Sequence, residues 1–380
     1  VSPLRATQSV TIPVNRTMSD ATAPTDCSGA LTLLRECVGG RSGEKLLIVS
    51  EAEEFGCYDA KAISMVASAA RFLGMVVYET QAGSSVDSDA QKTALLNTVK
   101  GFDHVVFFSR VGDQIRFVNN AQIPSSTMCY TLCGHSLNSQ FGTACHYGMA
   151  EIKDAIDTAF NEAAQVKVTC PRGTHYVGSA KNRLVDAVEV GIKRFPLLVP
   201  KPIPAMGFSG EVALSRFLIG TGSKYYEPYC LPLPSDVFAH VEANRIIEFK
   251  GSADDVARVE QHYKHVSNQF GIEPWFVDSW HAGIHPACEY ADDAEKNVTR
   301  WSNSVFGNPR VLHFHTCGEY APGEISWHVI DPTIYVDGTA IWEDGRLYPE
   351  RLPQCADILV NHPNLANLFA NPTRQIGLSA

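Results

Sequence analysis

The 380-residue chain lacks any apolar run near the ~20 residues that a bilayer-spanning helix needs, so no membrane partner is expected. It also lacks a Lys/Arg block. With 41 acidic residues against 31 basic ones, and a formal charge of -10, it has no electrostatic basis for binding nucleic acid. Its eleven cysteines are odd in number, scattered from Cys27 to Cys355, and include no C-x-x-C pair. That pattern fits neither a disulfide framework nor a structural zinc knuckle and points to a reducing, cytoplasmic setting. No secretory h-region precedes the two N-x-T sequons at Asn15 and Asn297, so chance accounts for them. The first 17 residues carry no acid, whereas "MSDATAPTD" from Met18 reads as a natural start. Residues 1–26 are therefore expected to be a flexible arm outside the fold. Internal repeats and low-complexity segments are absent as well.

What is present is an α/β pattern. "KLLIVS" (45–50), "MVVYET" (75–80) and "HVVFFS" (104–109) are short β-branched runs separated by helical stretches, one carrying Ile63, Val66, Ala70 and Leu73. This predicts a parallel, Rossmann-like α/β domain over 27–200, continued by a helix at 149–164 and a strand "VKVTC". Neither G-x-G-x-x-G nor G-x-x-x-x-G-K-[ST] follows the first strand, so a nucleotide site there has no support. The proline-rich "RFPLLVPKPIPAMGFSG" (194–210) reads as an inter-domain link. Beyond it, 201–380 is expected to form a mixed α+β, metal-binding domain. Its strands include "DVFAHV", "RIIEFKG", "RVLHFHTCG", "WHVIDPTIYVDG" and "TAIWEDGRLY", with an amphipathic helix at 253–270.

Five of the 13 histidines lie between His281 and His328. His313 and His315, two apart on a strand, leave the same face and can reach one ion. His281 and His285 in "HAGIH" are four apart, but Gly283 and Pro286 argue for a turn, and Ala282 stands where an H-E-x-x-H protease carries its glutamate. Glu319, Glu324 and Asp331 offer carboxylates nearby. Two histidines and one carboxylate with open positions suit non-heme Fe(II), while a more carboxylate-rich set suits a hydrolytic zinc or manganese pair. His285 is read as a turn residue, and His262 and His265 as residues of the helix's polar side. Lone thiols such as Cys133, Cys145 and Cys317 are read as packing groups. His135 in "CGHSLNSQFGTACHYG" and His175 in "CPRGTHYVGS" sit in loops at strand ends, as candidates for substrate contact or proton transfer. Asp236 precedes a strand, as a turn residue or a ligand.

The run "CPRGTHYVGS", "LPSDVFAHVEANRIIEFKG", "WHAGIHP", "HFHTCG" and "IDPTIYVDG" resembles, in order, the landmarks of the thermophilic aminopeptidase (aminopeptidase T) family and of its oxygenase branch, the 2,5-dihydroxypyridine 5,6-dioxygenases. The resemblance covers roughly residues 45 to 350. It implies that the family's P-x-G-E-V-F glutamate falls on Asp236, and that the residue of its E-L-G-I-G-x-N-P stretch falls on His281. A histidine at the latter position resembles the dioxygenase branch. The H-L-x-x-G histidine corresponds to His313 or His315. The family's H-x-D falls on Glu324 and Ser326, or on His328 and Asp331 if a loop is shortened.

The resulting expectation is an Fe(II) oxygenase, with Zn or Mn as the alternative metal. Its metal residues are His281, His315, Glu324 and His328, and His135, His175, His313, Asp331 and Asp236 are placed at substrate or in catalysis. The substrates are expected to be O2 and a hydroxylated N-heterocycle or aromatic ring, in a pocket bordered by Trp280, Trp327 and Tyr335. A ring-cleaving dioxygenase is favoured. The alternatives are a two-metal aminopeptidase or other hydrolase using Asp236 and Glu324, and a non-catalytic binding protein with a vestigial site. Resemblance to the family implies a homo-oligomer.

Overall fold

The computed structural model describes residues 13–16, 26–85, 88–116, 123–184, 191–220, 225–318 and 322–378. Glu319 and most of the N-terminal arm lie outside the described residues. No described helix is long and apolar enough to cross a membrane. The chain is α/β, as expected, and divides into two compact units: Val1–Asn138 with Val190–Phe195, and Ser139–Glu189 with Pro196–Ala380. Residues 139–189, which the sequence reading places in the first domain, therefore cluster with the second.

In the first unit, strands Lys45–Glu51, Val76–Ala82, His104–Phe108, Ser125–Cys129 and Lys193–Phe195 pair in parallel. Their spatial order is second, first, third, fourth, fifth, and the short segment Asn15–Arg16 adds an antiparallel edge. The strands read as near-continuous apolar runs because both faces are covered: Leu46, Leu47, Ile48 and Val49 are fully buried, as are Val105 to Phe108. Helix Ala60–Phe72 starts where the Asp59 side chain accepts from the Ala62 amide. It buries Ala62, Val66 and Ala70 at helical spacing.

The second unit holds two antiparallel sheets. One has eight strands and includes His175–Gly178 and Val166–Thr169, so "VKVTC" belongs here and not to the parallel sheet. The other has six, in the order Cys230–Pro232, Phe217–Ile219, Glu324–Ile330, Val311–Cys317, Val277–Ala282, Ile203–Pro204. "WHVIDPTIYVDG" is two strands, not one. Asp331 adopts a left-handed φ of 52° and is followed by Pro332, which cannot donate to a ladder, so the chain leaves the six-stranded sheet at Ile330 and enters the eight-stranded one at Thr333. Asp337-Gly338 and Asp344-Gly345 all have positive φ, as two-residue hairpin turns require.

Apolar faces of the two sheets meet in one core. Trp280 stands edge-on to Phe208 with ring centres 5.5 Å apart, and Tyr176 edge-on to Phe314 at 5.4 Å. Helix Ala253–Phe270 adds Val259, Tyr263 and Val266. It begins at Ser252, whose hydroxyl accepts from the Asp255 amide, and ends at Gly271 in the left-handed region. His262 was expected on its polar side but is buried, its ring edge-on to Tyr226. Helix His146–Glu162 packs Ile152, Ile156 and Phe160 into the same core.

A candidate metal centre on one sheet face

Strand alternation puts the chemistry on one side of the six-stranded sheet. In Val277–Ala282, Ser279 and His281 point one way and Trp280 the other; in Val311–Cys317, His313 and His315 oppose Leu312 and Phe314. In Glu324–Ile330, Glu324, Ser326 and His328 share a face, and Ile325, Trp327 and Val329 take the opposite one. Register aligns these sets across strands: His281 pairs with His313, His313 with His328, and His315 with both Ser279 and Ser326. One face is thus apolar and the other carries four histidines, two serines and a glutamate.

The polar face is nevertheless buried, with His281 and His313 at 3% exposure and Glu324 and His328 at 1%. Phe306 stacks on the His313 ring, centres 4.2 Å apart and planes 17° apart. Trp301 and Phe217 stand edge-on to His328 at 5.1 and 5.7 Å. Trp301 belongs to helix Val298–Val305, which starts where the Asn297 side chain accepts from the Arg300 amide. Its indole N–H is anchored to the Ile376 carbonyl at 2.7 Å.

Three imidazoles converge. The Nε2 atoms of His281 and His313 are 2.8 Å apart, and those of His281 and His315 are 3.2 Å apart. Among the described residues, His281, His313 and His315 are the group able to hold a metal ion. The outer nitrogens define how the rings present themselves. Nδ1 of His281 lies 3.1 Å from the Pro200 carbonyl, which only accepts, so this nitrogen carries the proton and Nε2 offers a lone pair. Nδ1 of His315 meets the Glu324 carboxyl Oε1 in a short contact, the carboxyl-histidine pairing that orients metal-binding imidazoles.

These residues fit a metal ion. With its proton on Nδ1, His281 has one Nε2 lone pair to share between the two ring nitrogens that crowd against it in this buried site. One divalent cation satisfies all three, because nitrogens each ~2.0–2.1 Å from an ion stand about 3 Å from one another. Three histidine donors are one fewer than the four protein donors that close a structural zinc site.

Other expected site residues are not brought to this cluster. Glu324 serves His315 from behind instead of facing the convergence point. His313, expected at substrate, is one of the three converging rings. His328 is on the same face but outside the cluster; its Nδ1 is 3.3 Å from the Phe217 carbonyl, and burial pushes its pKa down to about 3. His135 is an exposed residue of the first unit, and His175 an exposed residue at the start of its strand in the eight-stranded sheet. Asp236, in that same sheet's neighbourhood, is exposed and ion-paired with Arg172. Asp331 is held by Arg310, with contacts of 2.6 and 2.7 Å, and by Arg374 at 2.9 Å, which gives it a structural role. His285 is fully buried, its Nδ1 accepting from the Ala287 amide at 3.2 Å. The aromatic wall also differs. Trp280 and Trp327 lie in the core behind the sheet, and Tyr335 packs under the Lys167 ammonium in the other sheet. Among the described residues, the rings that cover the polar face are Phe217, Trp301 and Phe306.

The structure is therefore an α/β protein with a buried three-histidine centre on one face of an antiparallel sheet. No protein-family model matches the chain, and no curated protein sequence does. Among solved structures, its fold is similar to that of 2,5-dihydroxypyridine dioxygenase from Pseudomonas putida KT2440, with a TM-score of 0.56 and 12% identity over 85% of this chain and 96% of that one. AmpT from Thermus thermophilus aligns over 85% of this chain and 98% of its own at 10% identity, with a TM-score of 0.47. The fold to which the sequence landmarks pointed is thus the fold observed.

Proposed function

We propose that this chain is an iron-dependent dioxygenase that cleaves a hydroxylated N-heterocycle or aromatic ring. The observation that carries the reading is the convergence of three buried imidazole nitrogens, from His281, His313 and His315, on a fold similar to that of a 2,5-dihydroxypyridine dioxygenase. His281, His313 and His315 would hold the metal. When bound, iron supplies the one-electron chemistry that allows O2 to react with a closed-shell ring. The protein's own groups do the rest. Pro200 and Glu324 keep the His281 and His315 rings in the orientation that turns Nε2 inward. Phe306, Trp301 and Phe217 keep water from the polar face.

In the overall reaction both atoms of O2 enter the product and one ring carbon–carbon bond breaks, so no external reductant is consumed. The two-metal hydrolase is not favoured. Asp236 is exposed and paired with Arg172, Glu324 meets His315, and neither carboxylate joins the three-histidine cluster.

The test is oxygen uptake by anaerobically iron-loaded protein given 2,5-dihydroxypyridine. One O2 consumed per ring opened supports the reading; iron-replete protein that consumes no O2 with this or related hydroxylated rings contradicts it.

A further inference from the structure

Beside the three converging histidines, the same sheet face carries two buried polar atoms that have no hydrogen-bond partner among the described residues. His328 is 1% exposed, and its Nε2 has no hydrogen-bond partner among the described residues. Ser326 is fully buried, and its hydroxyl has none among those residues either. Neither belongs to the metal cluster. The Ser326 position faces His315 across the ladder and that of His328 faces His313, so both flank the centre along one strand. Because Nδ1 of His328 is directed at the Phe217 carbonyl, that nitrogen bears the proton and Nε2 presents a lone pair. Aromatic rings enclose it: Trp301 at 5.1 Å, Phe306 at 5.2 Å and Phe217 at 5.7 Å between ring centres.

Buried polar groups are almost always paired, and an exception requires an explanation. A hydrogen-bond acceptor at the end of an apolar, ring-lined wall matches a planar molecule that presents an O–H or ring N–H. We propose that His328 and Ser326 form the polar end of the substrate site, with His328 Nε2 accepting a hydrogen bond from the hydroxyl or ring N–H of the substrate and Ser326 bonding a second polar atom of the same ring. His328 is then a specificity-determining residue, not a metal ligand. The inference rests on the dioxygenase reading and assigns the part of the face that the metal does not use.

Calorimetric titration of anaerobic, iron-loaded protein tests it, with 2,5-dihydroxypyridine as the probe and 2,5-dimethoxypyridine as a control that has no hydroxyl to donate. Wild type should prefer the dihydroxy compound. His328→Phe should keep one iron per chain but bind 2,5-dihydroxypyridine about tenfold more weakly, the weight of one lost hydrogen bond in a dry site. The dimethoxy compound should show no such loss, and His328→Gln, whose amide oxygen can still accept, should recover most of the binding. Unchanged binding in His328→Phe overturns this inference alone, and so does loss of its iron, which would make His328 a ligand. Should His328→Phe not fold, Ser326→Ala carries the same test: several-fold weaker binding with iron retained supports the assignment, and unchanged binding overturns it. Iron-replete wild type that binds neither probe overturns the dioxygenase reading and this inference with it.

Discussion

Glu324→Gln is the substitution that separates a carboxyl group behind the metal from one that holds it. The side chain is 1% exposed, and its Oε1 meets Nδ1 of His315, not the point where the three Nε2 atoms converge. Its effect on metal should therefore pass through the His315 ring. Outer partners of metal-bound histidines are worth about 10- to 100-fold in affinity, or ~1.4–2.8 kcal/mol. Glutamine keeps the size and one accepting oxygen but removes the charge that favours the correct ring orientation. We expect Glu324→Gln to retain one metal site per chain with a Kd about 10- to 100-fold weaker, whereas His315→Ala should lose nearly all binding. Competition with a chromogenic chelator under nitrogen measures both. An unchanged Kd for Glu324→Gln, or a loss as complete as that of His315→Ala, would refute the assignment; the second result would make Glu324 a direct ligand.

Trp327 is fully buried on the face away from the centre, so Trp327→Ala should lower unfolding free energy by about 3–5 kcal/mol in urea titration while leaving metal stoichiometry unchanged in the folded protein. Phe306→Ala should cost a comparable ~3–5 kcal/mol and, by uncovering His313, speed metal loss to a chelator about tenfold or more. Asp236→Ala removes an exposed ion pair, so it should change stability by less than ~1 kcal/mol and metal content not at all; loss of metal would revive the hydrolase reading. Burial lowers the pKa of His262 to about 4, and of His285 and His328 to about 3, from the ordinary 6.5. The unfolded chain thus binds more protons than the folded one between these values and pH 6.5. Metal-free protein should be at full strength in this respect above pH 6.5 and lose stability as pH falls towards 4 and then 3. Denaturant melts across that range check the sign, and His262→Phe should flatten the slope.

Local pattern was enough to find much of this. Helix 253–270 was legible to the residue because Val256, Val259, Tyr263 and Val266 keep helical spacing between a Ser cap and a Gly stop. The His313/His315 pair was legible for the same kind of reason, since period two puts both on one strand face. What no local pattern contains is register. Only cross-strand pairing sets His281 opposite His313 and His313 opposite His328, and so shows that two residues from the same "HFH" stretch join one cluster while His328 stays beside it. Glu324 was found as a candidate, but its role depends on facing Nδ1 rather than Nε2 of His315, a distinction of side-chain geometry. Phe306 and Trp301 were missed, although "RWSNSVFG" immediately before the histidine strand carries Trp301 and Val305 on one helical face, with Phe306 at its end. The unit boundary was displaced because helix His146–Glu162 and strand Val166–Thr169 continue the βα pattern of the first unit in sequence while packing in the second.

The most direct test of the central claim is the metal content of protein purified without oxygen, by elemental analysis, with His281→Ala and His313→Ala alongside. Wild type should hold about one iron per chain and either variant almost none, with both variants still folded. Wild type free of metal after iron loading, two metal ions per chain, or a full complement retained by the folded variants would contradict it.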